Sequence, residues 1–275
     1  MATTRLTLVT SQPIRTVHRP HGRRIIAGLS PVLVLYILYT GVRWLVAGRG
    51  PKLGGEHAER LLHLEGTLDL NWEYSLQQAT LGHPWLVHAA NYYYVYGFLP
   101  VLIVCTFLGA WRAPAAFGWW RNVFAISLML ALVGFAAFPL TPPRLLPPEY
   151  GYVDTLLAYG PHYYGDSTGS SLFNAYGSIP SVVNVYAAMP SMHIAWSIIA
   201  GALLCAALGV RRWTVLLAVL HPTMMAFAVI ISGNHYVLDI VFGIIVLLIS
   251  LGVGQLWRQF RLGHLVAPRV ESVPA

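Results

Sequence analysis

Gly233-Asn234-His235-Tyr236-Val237-Leu238-Asp239-Ile240-Val241-Phe242-Gly243-Ile244-Ile245-Val246-Leu247-Leu248-Ile249-Ser250-Leu251 decides the architecture. With the residues that follow, it is apolar for long enough to cross about 30 Å of hydrocarbon as one helix. Of the ten acidic residues, Asp239 is the one inside a long apolar run. An ionisable group there is costly enough to be read first as functional. His235 precedes it by four residues, so a helix sets imidazole and carboxylate on one face at the mouth of a span.

Outward from that span the same composition continues. The 275 residues are 56% hydrophobic and 10% charged, where a soluble domain carries about 25% charged residues. Six stretches are long and apolar enough to cross a bilayer: Ile25 to Ala47, Leu86 to Ala110, Val123 to Pro139, Met192 to Val210, Trp213 to Ile231 and Tyr236 to Leu256. The expected fold is an all-α integral membrane protein, a six-transmembrane-helix bundle. Residues 1–24 are expected as a basic cytoplasmic tail, 25–257 as the membrane domain and 258–275 as a second cytoplasmic tail. The first span follows five arginines and lacks a small-residue cleavage site, so it is read as retained.

Basic residues set the orientation. The arginines of the N-terminal arm, with Arg112, Arg121, Arg211, Arg212, Arg258, Arg261 and Arg269, fall on one side of a six-span arrangement. Arg43, Arg49, Lys52, Arg60 and Arg144 fall on the other. The positive-inside rule then puts both termini in the cytoplasm of a multi-pass cell-membrane protein. The net charge of +7 is accounted for in this way, without a nucleic-acid partner. Cys105 and Cys205 both fall within spans and form no CxxC pair, so neither a disulfide framework nor a thiolate metal site is indicated.

Two outer connections exceed simple turns. Gly54 to Gln78 places Ala58, Leu61, Leu62 and Glu65 at helical spacing before Trp72, the pattern of an extracytoplasmic interfacial helix. Thr141 to Tyr186 is a tyrosine-rich loop of roughly 45 residues between spans three and four, and loops of that length often cap a site. An aromatic belt at headgroup level is the alternative for any one of its tyrosines.

Polar groups gather at that outer boundary. Span three ends in Phe138-Pro139-Leu140-Thr141-Pro142-Pro143-Arg144, span four begins at Pro190-Ser191-Met192-His193, and span six begins at His235. Pro190, Ser191 and His193, with His235 and Asp239, resemble the Pro-Ser-Gly-His and His-x3-Asp blocks of the membrane-bound type 2 phosphatidic acid phosphatase superfamily. Met192 stands at the glycine position, Ala137 where the first block has lysine, and Ala228 and Val229 where the third has Ser-Arg. The Pro-Pro-Arg turn, Gly-Asn-His-Tyr, Glu65-Gly66 and Glu73 resemble the inositol-phosphorylceramide synthase-like branch.

The resemblance implies a lipid-phosphate phosphatase or phosphotransferase acting on the extracytoplasmic leaflet through a phosphohistidine. His235 would be the nucleophile, Asp239 its orienting carboxylate, and His193 the general acid and then base. Arg144, Ser191 and Asn234 would bind phosphate. Hydrolysis and headgroup transfer, including inositol-phosphate transfer that makes a phosphodiester lipid, share the first half-reaction and both stay open. No cofactor is called for. A zinc site would need a richer acidic set than these residues offer, so no metal is expected. A proton-coupled transporter is the non-enzymatic rival, but polar groups at one interface and no evident inverted repeat speak against it. Taken alone, Arg144 could snorkel to headgroups and Ser191 could simply cap a helix. His221, in mid-span beside Pro222, is read as structural.

Overall fold

The computed structural model describes residues 37–42, 44, 46, 49–159 and 185–266, with no side-chain description at 51 and 261–266. The tail expected at 1–24, most of the span expected at Ile25 to Ala47, and 160–184 of the long loop lie outside the described residues. The chain divides into Met1–Tyr39 and Thr40–Ala275; the architecture below is that of the second unit.

Every regular element among the described residues is helical; the one β-type pairing is an isolated bridge between Leu140 and Ala187. Two amphipathic helices come first, α1 (Gly50–Thr67) and α2 (Trp72–Leu81). α3 (Pro84–Tyr92) passes through a π-helical turn at Tyr93–Gly97 into α4 (Phe98–Arg112). α5 (Pro114–Ala137) follows, then 3-10 turns at Pro143–Leu145 and Pro148–Tyr150 and a short α6 (Thr155–Ala158). α7 (Met192–Leu208), α8 (Arg212–Ile231) and α9 (Val237–Val266) complete the bundle. α9 runs past residue 258, so the segment expected to begin a tail there is still helical.

Among the described residues, four helices are long and apolar enough to cross a membrane: Pro84–Arg112, Pro114–Ala137, Arg212–Ile231 and Val237–Phe260. Met192–Leu208 is apolar but shorter. The membrane reading rests on more than length, because the outward faces are apolar too. Ile103, Phe107, Leu216, Val219, Leu248 and Leu256 are all exposed, a surface that hydrocarbon covers without penalty and water does not.

The segment expected as one interfacial helix forms two. α1 ends where Asp69 adopts φ 54°, and the Leu70 N–H returns to the Glu65 carbonyl at 2.8 Å, a Schellman-type stop with Asp in the usual glycine position. Its inner face carries Ala58, Leu61 and Glu65, all buried; α2 buries Glu73, Gln77 and Thr80. Ala58 and Leu61 enter a cluster with Leu140, Ala188, Tyr236 and Leu238. The inner faces of this pair are thus mixed, burying Glu65, Glu73, Gln77 and Thr80 together with apolar side chains.

α7 is the central helix, packing on α4, α5, α8 and α9. Small residues set its close approaches. A Cβ at Gly201 would come within 2.8 Å of the Ala218 carbonyl on α8, and one at Gly109 on α4 within 2.8 Å of the Leu203 side chain. His221 meets the Tyr93 hydroxyl at 2.6 Å and so links α8 to the π-helical turn.

Candidate active site

The site is built where α9 begins. Gly233, at φ 67°, turns the chain after α8; a Cβ there would also meet Arg144 at 3.0 Å. The Val229 carbonyl accepts the Asn234 and His235 N–H groups at 3.0 and 3.2 Å. Backbone at the position where the resembled motif carries arginine therefore holds the turn that presents His235.

Asp239, at the third helical position of α9, reaches back over that turn. Its Oδ2 accepts the Tyr236 N–H at 3.0 Å, as a helix-start carboxylate does, and lies 3.1 Å from His235 Nδ1. Asp239 is 0% and His235 4% exposed. With Nδ1–H donated to the carboxylate, His235 Nε2 keeps its lone pair. That lone pair faces His193 Nδ1 at 3.1 Å, so His193 is the donor across the gap. Asp239, His235 and His193 form one line of hydrogen bonds.

α7 brings His193 and Ser191 to the same place. The Ser191 N–H donates to the Asp239 carbonyl at 2.9 Å, and Gly243, one turn further along α9, leaves room for the Ser191 backbone. Ser191 is the N-cap residue of α7 but makes no side-chain cap; its hydroxyl is buried and without a partner among the described residues. The His193 ring lies against Tyr94 and Phe98, with centroids 5.1 and 4.7 Å away.

Arg144 arrives from the 3-10 turn after α5. Its N–H donates to the Gly233 carbonyl at 2.9 Å, its Nε to Asn234 Oδ1 at 3.0 Å, and one terminal nitrogen to Asp154 Oδ2 at 2.9 Å. Asn234 also donates to the Ser232 hydroxyl at 2.8 Å. The guanidinium is thus oriented by two side chains and remains partly accessible, 18% exposed. His193, His235 and Asp239 make direct contacts, Ser191 joins through the Asp239 backbone, and Arg144 with Asn234 joins through the residue before His235.

Several residues to which the sequence assigns no role support the site. Asp154 caps α6 through the Leu157 N–H at 3.1 Å while pairing with Arg144. The only sequence signal was an acid just before Thr155-Leu156-Leu157. Gln77 donates to the Ile231 and Val153 carbonyls at 2.9 and 3.0 Å and accepts the Val153 N–H at 2.9 Å, tying α2 to the loop and to the end of α8. Glu65 Oε1 accepts the Leu238 N–H at 2.7 Å, and the Tyr236 hydroxyl donates to the Thr141 carbonyl at 2.9 Å. Burial, then the charge of Glu73, pushes Glu65 up to about 9; burial raises Glu73 too.

Among the described residues no group of three or more His, Cys, Asp or Glu side chains is arranged to hold a metal ion. The arrangement offers a lone-pair nitrogen oriented by a carboxylate, a neighbouring imidazole able to give and take a proton, and a partly open guanidinium. Those are the parts phosphoryl transfer through a covalent intermediate needs. A family model of the PAP2 superfamily matches residues 59–253. No curated protein and no solved structure matches the chain.

Proposed function

This chain belongs to the PAP2 superfamily, and from that premise we propose that it is a membrane lipid-phosphate phosphatase or phosphotransferase with a histidine nucleophile. The observation that carries the reading is the line Asp239–His235–His193.

In the first half-reaction His235 Nε2 attacks phosphorus and the bond to the lipid oxygen breaks. The departing alkoxide takes the proton of His193. Asp239 holds the proton on His235 Nδ1 and offsets the positive charge of the phosphorylated ring. Arg144, with the Ser191 hydroxyl and the N–H groups opening α7, binds the non-bridging oxygens. In the second half, His193 takes a proton from an acceptor hydroxyl, that oxygen attacks phosphorus, and the P–N bond returns its electrons to His235. Water as acceptor gives free phosphate. Where the alcohol that leaves is instead a headgroup, the phosphoryl group on His235 keeps its lipid, and a polyol such as inositol as acceptor then gives a new phosphodiester lipid.

Hydrolysis is the default reading, since water needs no dedicated binding surface. The Pro-Pro-Arg turn and Gly-Asn-His-Tyr block support the inositol-phosphorylceramide synthase-like branch as the second. The arginine distribution supports cytoplasmic tails at both ends and a site on the outer leaflet. α1 and α2 then lie on that side, near the headgroups.

The test is turnover by purified protein on lipid phosphates and phospholipids, with products identified by mass spectrometry as polyol concentration rises. Phosphate release that polyols never divert marks a phosphatase, and a growing phosphodiester product marks a transferase. Absence of either product, with no acid-labile phosphoenzyme after quenching, would overturn the reading.

A further inference from the structure

Glu65 and Glu73 lie on separate helices, are 0% and 1% exposed, and interact side chain to side chain behind the start of α9. Two of their four oxygens pose a question of hydrogen count. Glu65 Oε1 accepts the Leu238 N–H at 2.7 Å, yet Oε2 of each glutamate is buried with no partner among the described residues. Buried carboxyl oxygens are rarely left so. A single proton resolves both, because it makes one Oε2 a donor and the other its acceptor. Glu73 Oε1 completes the set by accepting the Tyr152 hydroxyl at 3.1 Å.

We propose that Glu65 and Glu73 share one proton and that the protonated pair is a positioning clamp for the His235–Asp239 dyad. The clamp acts through Leu238, the residue before Asp239 and the second helical residue of α9. The Leu238 N–H is one of the donors that a helix start leaves without an internal partner. Asp239 satisfies the Tyr236 N–H from within α9, and Glu65 satisfies Leu238 from α1. Acidic groups suit a helix start, but two full charges beside one another repel. A neutral Glu65 still accepts the Leu238 N–H and adds no second charge next to Asp239, which must stay ionised to hold His235.

The groups facing the pair are Asp239 and Tyr236 at the start of α9 and Tyr152 on the loop after α5. None of these supplies positive charge. Losing the shared proton would leave two buried carboxylates beside Asp239, and the first turn of α9 would be pushed from its place. The functional part of this inference rests on the phosphotransfer reading above; the shared proton does not.

The test compares purified full-length wild type with Glu65→Gln and Glu65→Leu. In Glu65→Gln the amide oxygen accepts the Leu238 N–H and its nitrogen donates to Glu73, as the protonated acid does. Activity at neutral pH should therefore stay within about threefold of wild type, whereas displacement in Glu65→Leu should cost on the order of 100-fold in kcat with KM little changed. The alkaline decline of wild-type kcat should move up by more than one pH unit in Glu65→Gln. Infrared difference spectra give an activity-independent readout. A protonated-carboxyl C=O band should be present in wild type at neutral pH, vanish as pH rises through the alkaline decline, and be missing from Glu65→Gln. No such band in wild type, or Glu65→Gln as damaged as Glu65→Leu, overturns the clamp. The band present in a protein that turns over no phosphate ester overturns the phosphotransfer reading and leaves the shared proton standing.

Discussion

His193 Nδ1 and His235 Nε2 face one another at 3.1 Å, while the far side of the His235 ring is held by Asp239 at 3.1 Å. Because the His235 Nδ1–H is donated to Asp239, Nε2 carries the lone pair and only the His193 proton occupies the gap. A phosphoryl group entering there would meet a lone pair on one side and a proton donor on the other. The proposed nucleophile and the proposed acid are thus distinguished by their surroundings, although both are histidines.

His235→Ala should abolish turnover and phosphoenzyme formation, since the covalent step has no other nucleophile in the line. Asp239→Asn keeps the shape but can present an N–H to the ring and reverse its tautomer, so kcat should fall on the order of 10³-fold or more in a folded protein. Trapping of the phosphoenzyme after an alkaline denaturing quench, beside steady-state rates, checks both. Near-normal turnover by folded His235→Ala would remove the mechanism.

His193→Ala should depend on the leaving group. General acid catalysis contributes about 10²–10⁴-fold where the departing oxygen is basic, as a lipid alkoxide is. An aryl phosphate, whose phenolate leaves without help, should lose much less in its first half-reaction. The check is single-turnover phosphoenzyme formation from alkyl and aryl substrates. Equal losses on both would assign His193 to binding or packing.

Arg144→Lys should lower kcat/KM by at least about tenfold, because a lysine cannot make a fork of fixed donors. The guanidinium gives Nε to Asn234 and a terminal nitrogen to Asp154, which aims what remains of the fork. Asp154 also caps α6, so Asp154→Asn, which can still cap, isolates loss of the ion pair from loss of the helix start. Comparing kcat/KM for the two variants tests the orientation argument.

Stability should fall as pH rises over the neutral to alkaline range. Glu65 is pushed by burial and by Glu73 from 4.5 to about 9, so between those values the folded chain holds a proton that the unfolded chain has released. Its stabilising contribution is whole below the lower value and is lost as pH climbs through the upper one. Thermal unfolding in detergent between about pH 6 and 9 should show a declining midpoint in wild type and a flatter one in Glu65→Gln. Parallel slopes would contradict a raised Glu65.

The parts of this molecule legible in its sequence are the local ones. His235 and Asp239 share a face because four residues make about one helical turn, and the apolar runs of α4, α5, α8 and α9 announce their length directly. His193 could be brought toward His235 by counting spans alone. Glu65 was not legible in the same way. At helical spacing it shares the inner face of α1 with Ala58 and Leu61, yet a lone carboxylate is ordinarily sent to water; here it is closed over by α9 and α2. Asp154 was hidden for a different reason, since an acid in a long loop acquires meaning only when the loop folds back on Arg144.

The close approach of α7 and α9 can be tested within one helix. A Cβ at Gly243 would drive into the Ser191 carbonyl, the backbone that sits against Asp239, while a Cβ at Gly252 meets nothing within 4 Å. Both glycines lie inside α9, and replacing a helical glycine by alanine alone contributes up to about 1 kcal/mol through helix propensity. Gly252→Ala should therefore leave activity unchanged and raise the unfolding temperature slightly. Gly243→Ala gains the same propensity but must part the two helices at the site, because the obstructing atom is backbone and cannot rotate away. Its kcat should fall by at least about tenfold, with a lower unfolding temperature, since an ångström of misplacement at a reacting centre can cost that much or more. Turnover and melting of both variants in the same detergent supply the check. An active, stabilised Gly243→Ala would mean that the contact between Ser191 and Gly243 does not set the position of Asp239.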